Sequence, residues 1–205
     1  MRQMTTRILG TSLATLVLIA SAYANAVFTL GNHPQPNEEN VMFHNPEQTG
    51  TTINGFTNHT DTMVVFTSPQ TMTAKGGQSD IDASSGSLRN VTIKVPGHDF
   101  LDYIVNVFKG NGARDIQVTA VMSDGSIFTS TFFGGRGNNF ITITATGGEE
   151  ISSLLITSNS GVEGLRQNRI SGITGLAVPE PSSSLLLGFG LLGFVPALRR
   201  KKELS

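Results

Sequence analysis

The chain has 205 residues, 14 basic and 15 acidic side chains, and neither cysteine nor tryptophan. That composition excludes a cysteine nucleophile, a thiolate metal site and disulfide staples, and leaves room for one domain besides targeting segments. Residues 27–178 hold eight basic and thirteen acidic residues, a net charge of −5 against −1 for the whole chain; with no basic cluster among them, nucleic acid and anionic lipid surfaces are poor partners.

Residues 1–26 read as a signal peptide. Arg2 and Arg7 form a positive start, residues 13–20 an apolar run, and Ala22-Tyr23-Ala24 and Ala24-Asn25-Ala26 two small-x-small cleavage patterns. Cleavage by signal peptidase is expected after Ala26, with Ala24 second; an uncleaved anchor is the alternative.

Residues 27–172 then read as a β-rich ectodomain. The stretch to residue 62 is the least regular, with a Pro-rich loop at 33–37, a short strand at 41–43 and another at 51–56 bent at Asn54-Gly55. A strand at 62–68 ends at Ser68-Pro69, and residues 75–87 are a polar loop. Residues 88–95 alternate, with Val91, Ile93 and Val95 facing one way and Asn90, Thr92 and Lys94 the other. Strands follow at 102–109, 115–122 and 127–133, the last two joined by the Asp124-Gly125 turn of a hairpin. Further strands are predicted at 140–146, 151–157 and 165–170. About nine short strands without helical periodicity predict an all-β fold, an antiparallel β-sandwich of jelly-roll type.

Catalytic patterns are scarce. No Gly-x-Ser-x-Gly elbow, P-loop or dinucleotide fingerprint occurs. The spacings of His33, His44, His59 and His98 match no metal motif. The run Asp80-x-Asp82-x-Ser84-x-Gly86 places oxygens at alternate positions, as calcium loops do. It lacks the glycine and glutamate of an EF-hand, with Ser85 and Val91 in their places. Asp80 and Asp82 are therefore the calcium candidates of a chain otherwise expected to need no cofactor. Asp99, Asp102, Asp115, Asp124, Glu149, Glu150 and Glu163 are available for glycoside hydrolysis, but most stand at predicted turns. For sugar binding, Tyr103 is the one tyrosine left after signal removal and the phenylalanines are expected in the core. The loop 136–139, with its Arg and two Asn, can offer hydrogen bonds instead.

The C-terminal stretch is the most explicit. Residues 173–181 form a linker ending in Val178-Pro179-Glu180-Pro181, residues 182–198 a serine-led apolar span, and residues 199–205 a tail opening with Arg199, Arg200, Lys201 and Lys202. As a helix, about 17 residues span about 25 Å, slightly less than a hydrocarbon core of about 30 Å, and the terminal cations can snorkel to make up the difference. Gly188, Gly190 and Gly193 suit a membrane helix, and the basic block marks the cytoplasmic side, leaving the bulk of the chain outside.

A Pro-Glu-Pro tripeptide, apolar span and basic tail in this order resemble the PEP-CTERM sorting signal of bacterial surface proteins. The resemblance implies processing by an exosortase, a membrane-embedded cysteine transpeptidase-like enzyme, with Val178 to Pro181 as recognition element. The two prolines keep that element extended. The function expected is that of a non-catalytic exported protein of the cell envelope or extracellular matrix, reached through the inner membrane of a Gram-negative bacterium. The alternative is a carbohydrate-binding module of the exopolysaccharide matrix, and a less favoured one a secreted glycoside hydrolase or lyase.

Overall fold

Strands that bury every second side chain must pair at their edges and stack on their apolar faces. The computed structural model describes residues 25–44, 46–108 and 115–175; residues 1–24 of the stretch 1–26 read as a signal peptide, the Pro-Glu-Pro motif, the apolar span and the basic tail lie outside them. The described residues contain no helix and fourteen strands. These are β1 (Asn25–Leu30), β2 (Glu39–Met42), β3 (Gln48–Thr57), β4 (Met63–Ala74), β5 (Ile81–Ala83), β6 (Leu88–Lys94) and β7 (His98–Asp99), then β8 (Asp102–Phe108), β9 (Asp115–Met122), β10 (Ile127–Phe133), β11 (Phe140–Thr146), β12 (Ile151–Val162), β13 (Gly164–Ser171) and β14 (Thr174–Gly175).

All but β7 and β14 belong to one antiparallel network in the order β1-β11-β8-β13-β2-β3-β4-β6-β12-β9-β10, with β5 joining β13 to β4. Two short strands fold this network into layers. β2 gives Glu39 and Asn40 to β13 but Val41 and Met42 to β3, and β5 pairs with β13 through Ile81 and Asp82 and with β4 through all three of its residues. Strands that switch sheets in this way make the corners of a sandwich. At the opposite margin the outer strands β1 and β10 approach each other. After β6 the chain crosses for β8, returns for β9 and β10, and crosses again at β11, β12 and β13, which gives the jelly-roll-like sandwich expected from the strand spacing.

The inner faces share one core. Ile53, Val64, Phe66, Val91 and Ile93 from one layer join Tyr103, Val105, Ile141, Ile143 and Leu165 from the other, each large side chain contributing about 1.5–3 kcal/mol on burial. In β6 and β9 the expected alternation holds, with Val91, Ile93, Ile116, Val118 and Ala120 inside.

Several boundaries differ from the sequence reading. β3 runs straight through Asn54-Gly55. Gly55 is there for space, because a Cβ would stand 2.6 Å from a methyl of Val41 and 2.9 Å from the Phe43 ring. β4 continues past Ser68-Pro69, which sits where the β3–β4 register shifts between Gly50 and Thr52, a bulge that frees proline from donating to the ladder. β5 lies inside the stretch read as a loop, and β12 reaches Val162 rather than residue 157. β14 falls within the stretch read as linker, and β1 begins before the favoured cleavage point.

β8 is buried on both faces. The register places Ile104 between Thr142 of β11 and Arg169 of β13, and the segment after β1 reaches over those two neighbours. The His33 N–H donates to Thr142 Oγ1 at 3.2 Å, Thr142 Oγ1 donates to the Gly31 carbonyl at 2.9 Å, and the Arg169 guanidinium binds Glu38 and Asn32.

On β13 the register with β8 slips between Arg166 and Arg169, with Gln167 at a φ of 49°. The slip turns Asn168 inward, where it is fully buried. Its Oδ1 accepts the Tyr103 hydroxyl at 2.8 Å, and its Nδ2 donates to the carbonyls of Ser79 at 2.8 Å and Leu165 at 3.1 Å. Burial pushes the Tyr103 phenol well above its ordinary value, so it stays a donor. Tyr103→Phe leaves Asn168 Oδ1 without that hydroxyl. It should cost about 1–2 kcal/mol in urea denaturation, and Asn168→Ala should cost more because three partners lose their bonds together.

Candidate functional site

The outer face of the layer from β3 to β10 is rich in hydroxyls. One cross-strand row runs Thr52, Thr67, Thr92, Leu155, Thr119, Thr129. Beside this row opens a cleft of about 390 Å³. β4 supplies Val65 and Thr67, β6 supplies Thr92 and Lys94, and β12 supplies Ser152. The rim comes from the turn Pro96-Gly97. Gly97 adopts a φ of 77°, which a side chain at this position would disfavour, and the chain doubles back so that the His98 N–H donates to the Val95 carbonyl at 3.1 Å.

The doubled-back residues form β7, which pairs with β14, Asp99 opposite Thr174 and His98 opposite Gly175. His98 Nδ1 lies 3.2 Å from the Thr174 carbonyl. The Thr174 hydroxyl donates to Glu150. Partial burial raises the Asp99 carboxyl above the ordinary aspartate value, and the charge of Glu150 raises it further. Of the carboxylates available in sequence, Asp99 and Glu150 are thus brought into each other's field.

Four of the others serve the scaffold. Asp102 is buried and accepts the Ser171 hydroxyl at 2.8 Å; Asp115 accepts Asn159 Nδ2 at 2.9 Å; Glu149 accepts the Ser123 hydroxyl at 2.5 Å. Asp124 accepts the Ser126 N–H at 2.8 Å within the hairpin turn. On the cleft wall the Ser152 hydroxyl donates to the Val121 carbonyl at 3.0 Å.

A second recess of about 300 Å³ is lined by Asp82, Gly86, Glu163 and Arg166. Here Asp82 Oδ1 meets Arg166 Nη2 at 3.0 Å, and the guanidinium lies 3.7 Å over the Phe108 ring. Asp80 Oδ1 accepts the Gln167 N–H at 3.3 Å. The two calcium candidates therefore face an arginine and a backbone amide. Among the described residues no group of three or more His, Asp or Glu side chains gathers.

In the loop expected to offer hydrogen bonds to sugar, the asparagines hold the loop itself. Asn139 Nδ2 donates to the carbonyls of Gly137 at 3.0 Å, Gly135 at 3.1 Å and Val107 at 3.2 Å, while Asn138 Oδ1 accepts Asn106 Nδ2 at 2.9 Å. Tyr103 is in the core and offers no platform. Of the phenylalanines expected inside, Phe133 is instead 81% exposed, on β10. The histidines are dispersed: His33 on the segment after β1, His44 stacked 4.5 Å over Phe56, His59 beside Glu39, and His98 at the cleft.

Sequence reasoning missed the cleft because its walls come from β4, β6, β12 and the β7 turn. Its one local signal is Pro96-Gly97 after a regular strand, which marks a reversal but not what the reversal faces.

Among known proteins, the family described as the PEP-CTERM protein-sorting motif matches residues 177–202. The chain carries this sorting motif, the signal of exported proteins handled by an exosortase, and Val178, Pro179, Glu180, Pro181 and the four cations from Arg199 to Lys202 all fall within the match. No curated protein sequence matches the chain. Among solved structures the fold is similar to CBM29_1, a family 29 carbohydrate binding module from Piromyces equi, at 8% identity and a TM-score of 0.33, covering 77% of this chain and 94% of that one.

Two outcomes are expected here. The Asp99 carboxyl is raised in the fold, so the stability linked to its proton is present at acid pH and is lost as pH rises through the raised value. Glu150→Gln removes one of the two causes and should shift the Asp99 titration, followed by carboxyl NMR, back toward the ordinary value. Separately, Asn25 and Ala26 pair with Thr146 and Ala145, and Ala26 is buried. Cleavage after Ala24 leaves β1 whole, so intact mass of the mature protein should place its first residue at Asn25 rather than Val27.

Proposed function

We propose that this protein is a non-catalytic component of the cell envelope or extracellular polysaccharide matrix of a Gram-negative bacterium. It is delivered across the inner membrane by its signal peptide and released or transferred by an exosortase at the Pro-Glu-Pro element. The observation that carries this reading is the sorting motif at residues 177–202. The sandwich supports it by using its carboxylates and asparagines to hold turns and bulges. Pro179→Ala with Pro181→Ala should leave an unprocessed, membrane-retained chain, read by fractionation and immunoblot. Unchanged processing in that double variant would overturn the sorting role.

A second reading has its own support: the matrix role includes polysaccharide binding at the β4–β6–β12 cleft. Val65 and Pro96 offer apolar wall, while Thr67, Thr92, Lys94 and Asp99 offer donors and acceptors, the mixture a sugar ring requires. In affinity electrophoresis through the host's exopolysaccharide, the domain should be retarded and the Lys94→Ala, Thr92→Ala variant should not. Equal mobility of the two removes this reading and leaves the structural role standing.

A further inference from the structure

The pairing register brings both membrane-directed ends of the domain out at one end of the sandwich. Asn25, next to the signal peptide, pairs with Thr146 at the last residue of β11. Thr174 and Gly175, next to the sorting motif, pair with β7, and Thr174 bonds Glu150 in the turn that follows β11. The cleft rimmed by Pro96, His98 and Asp99 is at this same end.

The C-terminal exit is also tightly pinned. The Leu101 N–H donates to the Ser171 carbonyl at 3.1 Å. Gly172 has a φ of 62° and packs so closely that a Cβ would stand 2.6 Å from the Leu101 side chain. β14 then fixes the chain as far as Gly175. Leu176, Ala177 and Val178 are all that separates Gly175 from Pro179, a reach of at most about 14 Å when fully extended. An enzyme embedded in the membrane that grips the Pro-Glu-Pro element must therefore have this end of the folded domain against it.

We propose that the β7–β14 end of the sandwich, with the cleft between Val65, Lys94, Pro96 and Asp99 at its centre, is a docking surface for the exosortase during processing. This rests on the sorting role proposed above. The partner is the enzyme rather than the lipid, because Asp61, Asp99, Asp124, Glu149 and Glu150 stand on the turns and short strand of this end, and an anionic leaflet repels such a surface. Docking on a short tether raises the local concentration of the motif at the active site and sets its direction of entry.

The test is pulse–chase processing of the full chain in its host. Thr67→Arg with Lys94→Glu fills the cleft and reverses its cation at two exposed positions. It should slow processing by about threefold or more while the melting transition stays in place. Inserting about twelve Gly and Ser residues between Leu176 and Ala177 adds a mean reach of about 20 Å, and should bring the cleft variant back to the rate of the unaltered cleft on the same long tether. An unchanged rate for the cleft variant on the native tether, or no recovery on the long one, overturns the docking surface. If the cleft substitutions instead change binding of the purified chain to phosphatidylethanolamine–phosphatidylglycerol vesicles without enzyme, the surface belongs to lipid and the inference fails. Normal processing of the Pro179→Ala, Pro181→Ala chain would remove the sorting role itself, a failure separate from that of the docking surface.

Discussion

The buried amide of Asn168 is the contact on which the corner of this sandwich turns. A carboxamide with no water access must find partners for both its oxygen and its nitrogen. Here it finds Tyr103 on β8 and the carbonyls of Ser79 and Leu165. Ser79 precedes β5, so the same side chain ties β8 and the bulge of β13 to the strand that carries pairing onward to β4. The return bond from Ser79 Oγ to the Asn168 carbonyl, 3.0 Å, closes the loop of contacts. Two sheets that stack only by apolar burial can slide; directional bonds at a corner select one arrangement.

The second constraint is covering the outer face of β8. Ile104 and Asn106 point away from the core yet are almost fully buried. The irregular segment between β1 and β2 answers this by lying across the neighbours of Ile104 and closing with the Arg169–Glu38 ion pair, whose side chains are largely buried themselves. Opposite layers thus have different outsides, one partly roofed and the other open, hydroxyl-rich and carrying the cleft. The asymmetry explains why the open layer hosts the candidate binding surface.

Much of this was legible from local chemistry. The hairpin of β9 and β10 announced itself through Asp124-Gly125 between two alternating runs, and the strands at 115–122, 127–133 and 140–146 have the expected bounds. Pro69 and Gly55 misled because each is a breaker in isolation. Pro69 is tolerated where the ladder already slips, and Gly55 is needed because Val41 and Phe43 come too close for a side chain. The short strands β5, β7 and β14 have two or three residues each and no periodicity to read, so only their partners define them.

For the candidate site the division is the same. The Pro-Glu-Pro element, apolar span and cation block act through composition and order, and a linear pattern suffices to recognise them. The amino-acid sequence by itself determined the address of the protein, its all-β class and the inward face of its regular strands, because those follow from local charge order and period-two burial. The tertiary structure alone decided that Asp99 faces Glu150, that Asp82 meets Arg166, and that Thr67, Thr92 and Lys94 share a cleft beside the C-terminal exit. Each of these joins residues far apart in the chain, and such neighbours are set by sheet register and corner strands rather than by any local preference.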